Sequence, residues 1–241
     1  MKKIIDVHAH ILPGLDDGPS YMEETLQMLE MAVREGIDTV IATPHASDRF
    51  PGQKPEVIRE LVQRVSQEAQ ENGISLSLYP GQEIFYTEET AERLRRGELL
   101  TMAESRYVLL EFYPSALYVS ICRAVEELVQ KGYIPILAHV ERYEALAAED
   151  RIEGLKKKGA CMQMNFRSAS GGIFNKKTQR CRKLLKEEKI DFLGTDMHNT
   201  SSRSPRVRET VQWLQRKTPE RYQRRLFRKN PSSILADEKL M

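Results

Sequence analysis

Five histidines carry the clearest chemical signal in this sequence. His8 and His10 stand two apart in Asp6-Val7-His8-Ala9-His10, at the end of the first apolar run. Residues two apart on a strand share a face, so both imidazoles project to one side. Asp6 falls on that side as well, as a ligand or as a group that orients one. Two neutral imidazoles converging on one point suit a borderline divalent metal. Alone, a His-x-His pair is as readily structural as ligating. The rest of the chain decides between the two.

Seven apolar runs of strand length recur, at 3–8, 38–43, 75–80, 106–112, 134–139, 160–165 and 191–195. Helical patterns separate them. The first opens on a Ser20-x-x-Glu23 capping box and stops at Gly36. Others run from Pro55 to Gly73, from Thr87 to Gly97 and from Leu117 to Lys131, closed by Gly132. Residues 141–158 read as helical with a break, residues 174–189 as a basic amphipathic helix, and 204–216 and 219–229 as two more. Residues 230–241 read as a loosely held tail. Strand and helix alternating in this way predict a parallel sheet with crossover helices, either a barrel or an open doubly wound sheet. No Gly-rich phosphate loop follows the first strand.

The runs end on the polar residues that matter. After the first come His8 and His10; after the second, Thr43-Pro44-His45; after the third, Gly81-Gln82-Glu83. The fourth ends in Glu111, the fifth in Ala138-His139 with Arg142 beyond, the sixth in Asn165-Phe166-Arg167, and the seventh in Asp196-Met197-His198. All five histidines therefore sit at carboxyl ends of predicted strands. That rim is where parallel barrels build active sites. One such residue is explained by packing; their joint placement is not. Nitrogen and oxygen donors without thiolate point to manganese, iron or zinc. The donors exceed what one ion needs, which implies two or three. In Leu12-Pro13-Gly14-Leu15-Asp16-Asp17-Gly18, either acid could face back as a ligand, and Asp16 could equally make an Asx turn.

Composition narrows the function classes. The chain has 241 residues, enough for one large domain or two small ones, with no interdomain linker evident. No apolar run is long enough for a transmembrane helix, and no signal peptide is evident. Three cysteines without Cys-x-x-Cys spacing fit a reducing cytoplasm. Residues 1–200 hold 26 Lys/Arg against 31 Asp/Glu, whereas 201–241 hold 11 against 4. The basic end could attract anions, but it reads first as a solvated helix surface. Trp213, Tyr222 and Phe227 sit there at core-like helical spacings, so nucleic-acid binding is not expected. Cys161 and Arg167 match the Cys-x5-Arg spacing of cysteine-dependent tyrosine phosphatases. The residues between them lack the glycines of a phosphate-cradling loop and read as strand, so Cys161 is expected in the core.

Taken together, Asp-x-His-x-His, His-x-Leu-Pro-x-x-Asp-Asp-Gly, Thr-Pro-His, Gly-x-Glu, Leu-Glu-Phe, Ala-His-x-Glu-Arg and Thr-Asp-x-His resemble the PHP (polymerase and histidinol phosphatase) superfamily over residues 4–206. Within it, the chain looks most like the bacterial manganese-dependent protein-tyrosine phosphatases of capsule and exopolysaccharide operons. The resemblance implies a distorted (β/α)7 TIM-like barrel, here one domain over 1–241, with three metal positions. By motif, His8, His10 and Asp196 would hold one ion, Glu83 would bridge to a second completed by Glu111 and His139, and Asp17, His45 and His198 would hold the third. It also implies phosphate-binding roles for Arg142 and Arg203, whose forks match phosphate oxygens; the plainer readings are a helix-face ion pair and a surface charge. The implied substrate is a phosphotyrosine protein, a cognate bacterial tyrosine kinase, with a homo-oligomer as an open alternative to a monomer. A small phosphomonoester such as histidinol phosphate is the alternative substrate. A nucleic-acid exonuclease and a non-catalytic metal scaffold are weaker readings.

Overall fold

The computed structural model describes residues 3–50, 53–148, 150–172 and 174–240. The first strand, β1 (Ile4–Ala9), is buried at every position, as expected for a strand inside a parallel sheet covered by helices. It is followed by α1 (Met22–Glu35), which buries Met28, Leu29 and Ala32 and ends at Gly36 with φ 97°. Only glycine adopts that left-handed turn without steric cost. The Ser20–Glu23 capping box does not form. The turn before the helix is closed by the Gly14 N–H donating to the Pro19 carbonyl (2.9 Å), and the helix starts one residue late, behind Tyr21 with no side-chain cap.

Next come β2 (Ile37–Ala42), β3 (His45–Ala46), α2 (Pro55–Glu71), β4 (Ser77–Pro80), β5 (Glu83–Phe85) and α3 (Thr90–Arg95). The second half contains β6 (Tyr107–Glu111), α4 (Tyr118–Gln130), β7 (Ile134–Leu137), α5 (Arg151–Lys157), β8 (Cys161–Asn165), α6 (Phe166–Ala169), α7 (Lys176–Lys186) and β9 (Phe192–Gly194). Each expected strand is present. The second and third are each followed by an additional short strand: Pro44, with no N–H to extend a ladder, separates β2 from β3, and Gly81-Gln82 separates β4 from β5. His45 and Glu83 therefore open short strands of their own rather than closing long ones.

All strand pairing is parallel, in the orders β1-β2-β4 and β3-β5-β6-β7-β8-β9. The sheet curls until its ends meet. Ala9 pairs with Met197 just beyond β9, the Asp196 N–H donates to the His8 carbonyl (2.8 Å), and the His10 N–H to that of Met197 (2.9 Å). The sequence left a barrel and an open doubly wound sheet as alternatives; the curl excludes the open sheet.

Two stretches differ from their sequence reading. Residues 141–158 form two three-ten turns, Val140–Arg142 and Glu144–Ala147, before α5, and residue 149 lies outside the described residues. Residues 230–241 are not a loose tail as far as they are described. After α8 (Arg208–Lys217), α9 (Glu220–Arg224) and a wide turn at Arg225–Lys229, α10 (Asn230–Leu235) packs Ile234 among Ile5, Val7, Tyr107, Leu109, Ile136 and Phe192. The Asn230 amide donates to the Asp191 carbonyl (2.9 Å), the Tyr107 hydroxyl to that of Glu238 (2.7 Å), and Arg106 pairs with Asp237. The segment thus covers the amino ends of β6 and β9. Its polar composition hides the buried anchor Ile234, too isolated to show a helical periodicity.

Ile234→Ala is expected to cost about 2–4 kcal/mol, the range for emptying a buried aliphatic site, read as a lowered denaturant midpoint. A loosely held tail would leave the midpoint unchanged.

Candidate metal centre

The curl gathers all five histidines at the carboxyl ends of the strands. Among the described residues, three groups bring donor atoms close enough to share an ion: His10, Asp17, His45 and His198; His8, His10 and Asp196; and His45, Glu83 and Glu111. His139 joins the last of these, its Nε2 lying 2.9 Å from Glu83 and 3.3 Å from Glu111. The nine metal-site residues expected by motif therefore lie together. Glu83 lies at its centre, within 3.3 Å of ring nitrogens of His8, His10, His45 and His139.

Hydrogen bonding fixes which ring nitrogen is bare. The Asp16 carboxylate accepts from His10 Nδ1 (2.7 Å), and the Gln163 amide oxygen lies 3.2 Å from His8 Nδ1. In the neutral ring, an acceptor on Nδ1 puts the proton there and leaves Nε2 as a lone pair. The two Nε2 atoms face each other at 3.2 Å. Two lone pairs at contact repel unless a cation lies against both. His198 repeats the pattern: Nδ1 meets the Asp196 carbonyl at 3.0 Å, while Nε2 is buried, without a hydrogen-bond partner, and 3.2 Å from Asp17. The donor set fits divalent ions.

Electrostatics shows the same demand for positive charge, which protons on the rings can meet. Burial disfavours charge on His10, but Asp16 and Glu83 overcome it and lift its pKa to about 9. Burial is likewise overcome at His45 by Asp17 and Glu83, reaching about 11, and at His139 by Glu111 and Glu83, reaching about 9. Burial would raise Glu83, yet His8, His10, His139 and His45 hold it well below the usual carboxylate range. The site is built to stabilise positive charge among its carboxylates.

The two acids of the Asp16-Asp17 turn have different jobs. Asp16 is saturated, accepting from His10, from the His45 backbone N–H (2.9 Å) and from that of Gly18 (2.9 Å). Asp17 faces His198 and His45, which hold it ionised. Asp6, the other early candidate, does not reach the cluster. It accepts from the Thr195 N–H (2.9 Å) and hydroxyl (2.5 Å), tying β1 to the loop after β9, and burial lifts its pKa to about 6.

One positioning residue, Gln163, escapes the sequence reading, and it acts through Asn165 at the end of the sixth run. Gln163 accepts from the His139 N–H (2.6 Å) and donates to Asn165 (3.0 Å), whose own amide donates to Asp196 (2.7 Å). The signal was available: two amides at strand spacing within an apolar run. His139 and Asp196 hold φ of 34° and 52°. Such left-handed non-glycine backbone is uncommon and clusters at functional sites. Gly194 is required by proximity, since a Cβ there would lie 2.5 Å from that of His8.

Arg142 and Arg203 stand together above Asp196, at 2.5 Å and 2.8 Å, and Arg203 also reaches Asp17 at 3.3 Å. Cys161 is elsewhere. It packs with Ile5, Tyr107 and Phe192, and burial pushes its thiol far up, away from the thiolate a nucleophile needs.

The model of the family described as capsular polysaccharide synthesis, CpsB/CapC, matches residues 4–236. The chain belongs to the CpsB/CapC family. It is 31% identical over 241 residues to tyrosine-protein phosphatase CpsB of Streptococcus pneumoniae, covering 98% of this chain and 99% of the relative. It is 32% identical over 219 residues to tyrosine-protein phosphatase YwqE of Bacillus subtilis (strain 168), covering 88% and 84%. A crystal structure described under YwqE from Bacillus subtilis and CpsB from Streptococcus pneumoniae, unique metal-dependent tyrosine phosphatases, superposes with a TM-score of 0.91 at 29% identity, covering 99% of this chain and 96% of that one. A β-aspartyl dipeptidase from Fervidobacterium islandicum shares the fold alone, with a TM-score of 0.59 at 13% identity over 96% of this chain and 72% of that one. The curled α/β fold and the donor clusters of this CpsB/CapC chain agree with a metal-dependent phosphatase.

His10 and His139 hold protons to about pH 9, and ligation needs the neutral rings, so a cation must expel protons. Affinity for Mn2+ is expected to rise at least about tenfold per pH unit between about pH 6 and pH 8, read by calorimetric titration. Gln163→Met is expected to weaken binding about 10–100-fold, as loss of a ligand-orienting partner does. An affinity independent of pH would contradict this arrangement.

Proposed function

We propose that this chain is a cytoplasmic manganese-dependent protein-tyrosine phosphatase of capsular polysaccharide synthesis, folded as a distorted (β/α)7 barrel in one domain, whose substrate is a bacterial tyrosine kinase. The observation that carries this reading is the meeting, on one rim, of the donor clusters with two guanidiniums anchored on Asp196. His8, His10 and Asp196 would hold one ion; Glu83, Glu111 and His139 the second, with Glu83 bridging; Asp17, His45 and His198 the third. Bound there, divalent ions supply acidified water as nucleophile and positive charge for the phosphoryl oxygens.

The chain's own side chains do the rest. Arg142 and Arg203 each commit one nitrogen to Asp196 and keep other N–H donors for equatorial phosphoryl oxygens, where charge grows during transfer. Asp16 and Gln163 keep His10 and His8 in the tautomers that present bare Nε2. Aromatic rings border the cluster. Phe50 stacks on His45 with centroids 5.6 Å apart, and Phe85, paired in register with Glu111, meets Tyr113 edge-on at 4.5 Å. Tyr113 is exposed. Such rings suit an aryl leaving group better than a small alkyl one, which favours phosphotyrosine over a small phosphomonoester. No helix of the described residues is long and apolar enough to cross a membrane.

The test is hydrolysis of a phosphotyrosyl peptide by chelator-stripped protein with Mn2+ added back. Activity is expected to return with Mn2+, to survive Cys161→Ser and to vanish in His139→Ala. Arg203→Ala is expected to lower kcat by about 10²-fold, the scale for removing one donor to developing charge. Metal-independent turnover abolished by Cys161→Ser would overturn the proposal in favour of thiolate chemistry.

A further inference from the structure

Beside the rim lie two clefts that share one wall. The first, of about 660 Å³, is lined by Arg142, Arg167, Lys177 and Arg180 together with Glu141 and Glu144. The second, of about 310 Å³, is lined by Arg167, Arg206 and Arg208 with Glu35 and Glu209. Arg167 belongs to both. It comes from α6, directly after β8, and its backbone is locked: Phe166 is buried and its carbonyl accepts from Thr210 (2.6 Å), while Ser168 donates to Glu141 (2.6 Å).

The side chain is not locked. Among the described residues, the Arg167 guanidinium forms no hydrogen bond or ion pair, and neither does that of Arg206. Both are exposed. The other arginines here have partners: Arg142 and Arg203 on Asp196, Arg180 on the Leu146 carbonyl, Arg208 on Glu35. Three of the four carboxylates lining the clefts are engaged as well. Glu141 accepts from the Asn165 N–H, Glu35 from those of Val207 and Arg208, and Glu209 from that of Gly171. Across both clefts, six basic side chains face four acidic ones. Partial desolvation and the positive fields of Arg203, Arg142 and Arg206 outweigh the field of Asp196 and lower the pKa of Arg167, a crowding of like charge that an anion would relieve.

We propose that Arg167, with Arg206 beside it, forms a specificity site that binds a second anionic group of the phosphoprotein substrate while its phosphotyrosine occupies the metal rim. This rests on the phosphatase reading above. Arg142 lines the first cleft and also stands on the rim, so a peptide whose phosphate meets Arg142 has its neighbouring residues over Arg167. The anion is a carboxylate or a phosphate; a guanidinium fork accepts either bidentately. Selectivity through one such contact is a matter of KM more than kcat, because the group bound is remote from the reacting centre.

The experiment compares kcat/KM for phosphotyrosyl peptides whose flanking residues are glutamine, glutamate or phosphoserine, using the full Mn2+-loaded chain. The unaltered chain is expected to prefer an anionic flank about tenfold, with the preference shrinking as added salt screens the exposed pair. Arg167→Gln is expected to abolish the ratio between anionic and neutral peptides, and Arg167→Lys to restore part of it. Because the readout is a ratio within each variant, a general loss of folding or turnover does not mimic it. Preference for glutamate or for phosphoserine identifies the source of the anion. Turnover of all peptides with no preference, or a preference that survives in Arg167→Gln and in Arg206→Gln, overturns the specificity site and leaves the phosphatase reading standing. Inactivity of the unaltered chain on every phosphotyrosyl peptide overturns both.

Discussion

Two imidazole lone pairs held face to face are the constraint on which the rest of this structure depends. In their neutral forms His8 and His10 present bare Nε2 atoms 3.2 Å apart because Gln163 and Asp16 occupy the opposite ring nitrogens. Such an arrangement is repulsive by itself and becomes favourable only around positive charge. The ionised carboxylates of Glu83, Asp17 and Asp196 surround it, and Arg142 and Arg203 pair with Asp196. A proton can relieve the repulsion, but a divalent ion can satisfy several of these donors at once.

The fold supplies the rigidity this requires. Most donors lie in or just beyond parallel strands, His45 and Glu83 open short ones, and Asp17 comes from the turn before α1; the strands are clamped where β1 meets the segment after β9. Asp6 takes part in that clamp through Thr195 rather than ligating. Gly194 lets β9 pass against His8, and the left-handed backbone at His139 and Asp196 turns those side chains toward the cluster. At the other end, α10 seals the amino ends of β6 and β9. Barrel chemistry at one rim and stability at the other is the division of labour usual in such folds.

Much of this was legible in the sequence, for a physical reason. Apolar runs alternating with helical patterns mark parallel strands, and polar residues at the run ends can only gather at one rim, so the cluster from His8 to His198 could be read without coordinates. What could not be read depended on contacts distant in sequence. Asp16 was distinguished from Asp17 only by the ring of His10 and the backbone of His45. Gln163 acquired its role from His8, 155 residues away. The short strands that His45 and Glu83 open lie beyond the apolar runs and hold too few residues to show alternation. The C-terminal residues looked loose because Ile234 is too isolated an anchor for periodicity to reveal.

The most direct measurement is electron paramagnetic resonance of the stripped chain reloaded with Mn2+. Ions held by donor groups that share Glu83 would be exchange-coupled, so a multiline spectrum is expected, lost in His10→Ala. A spectrum of isolated six-line Mn2+ at full loading, or no binding beyond that of the His10→Ala chain, would contradict the cluster as a shared metal centre.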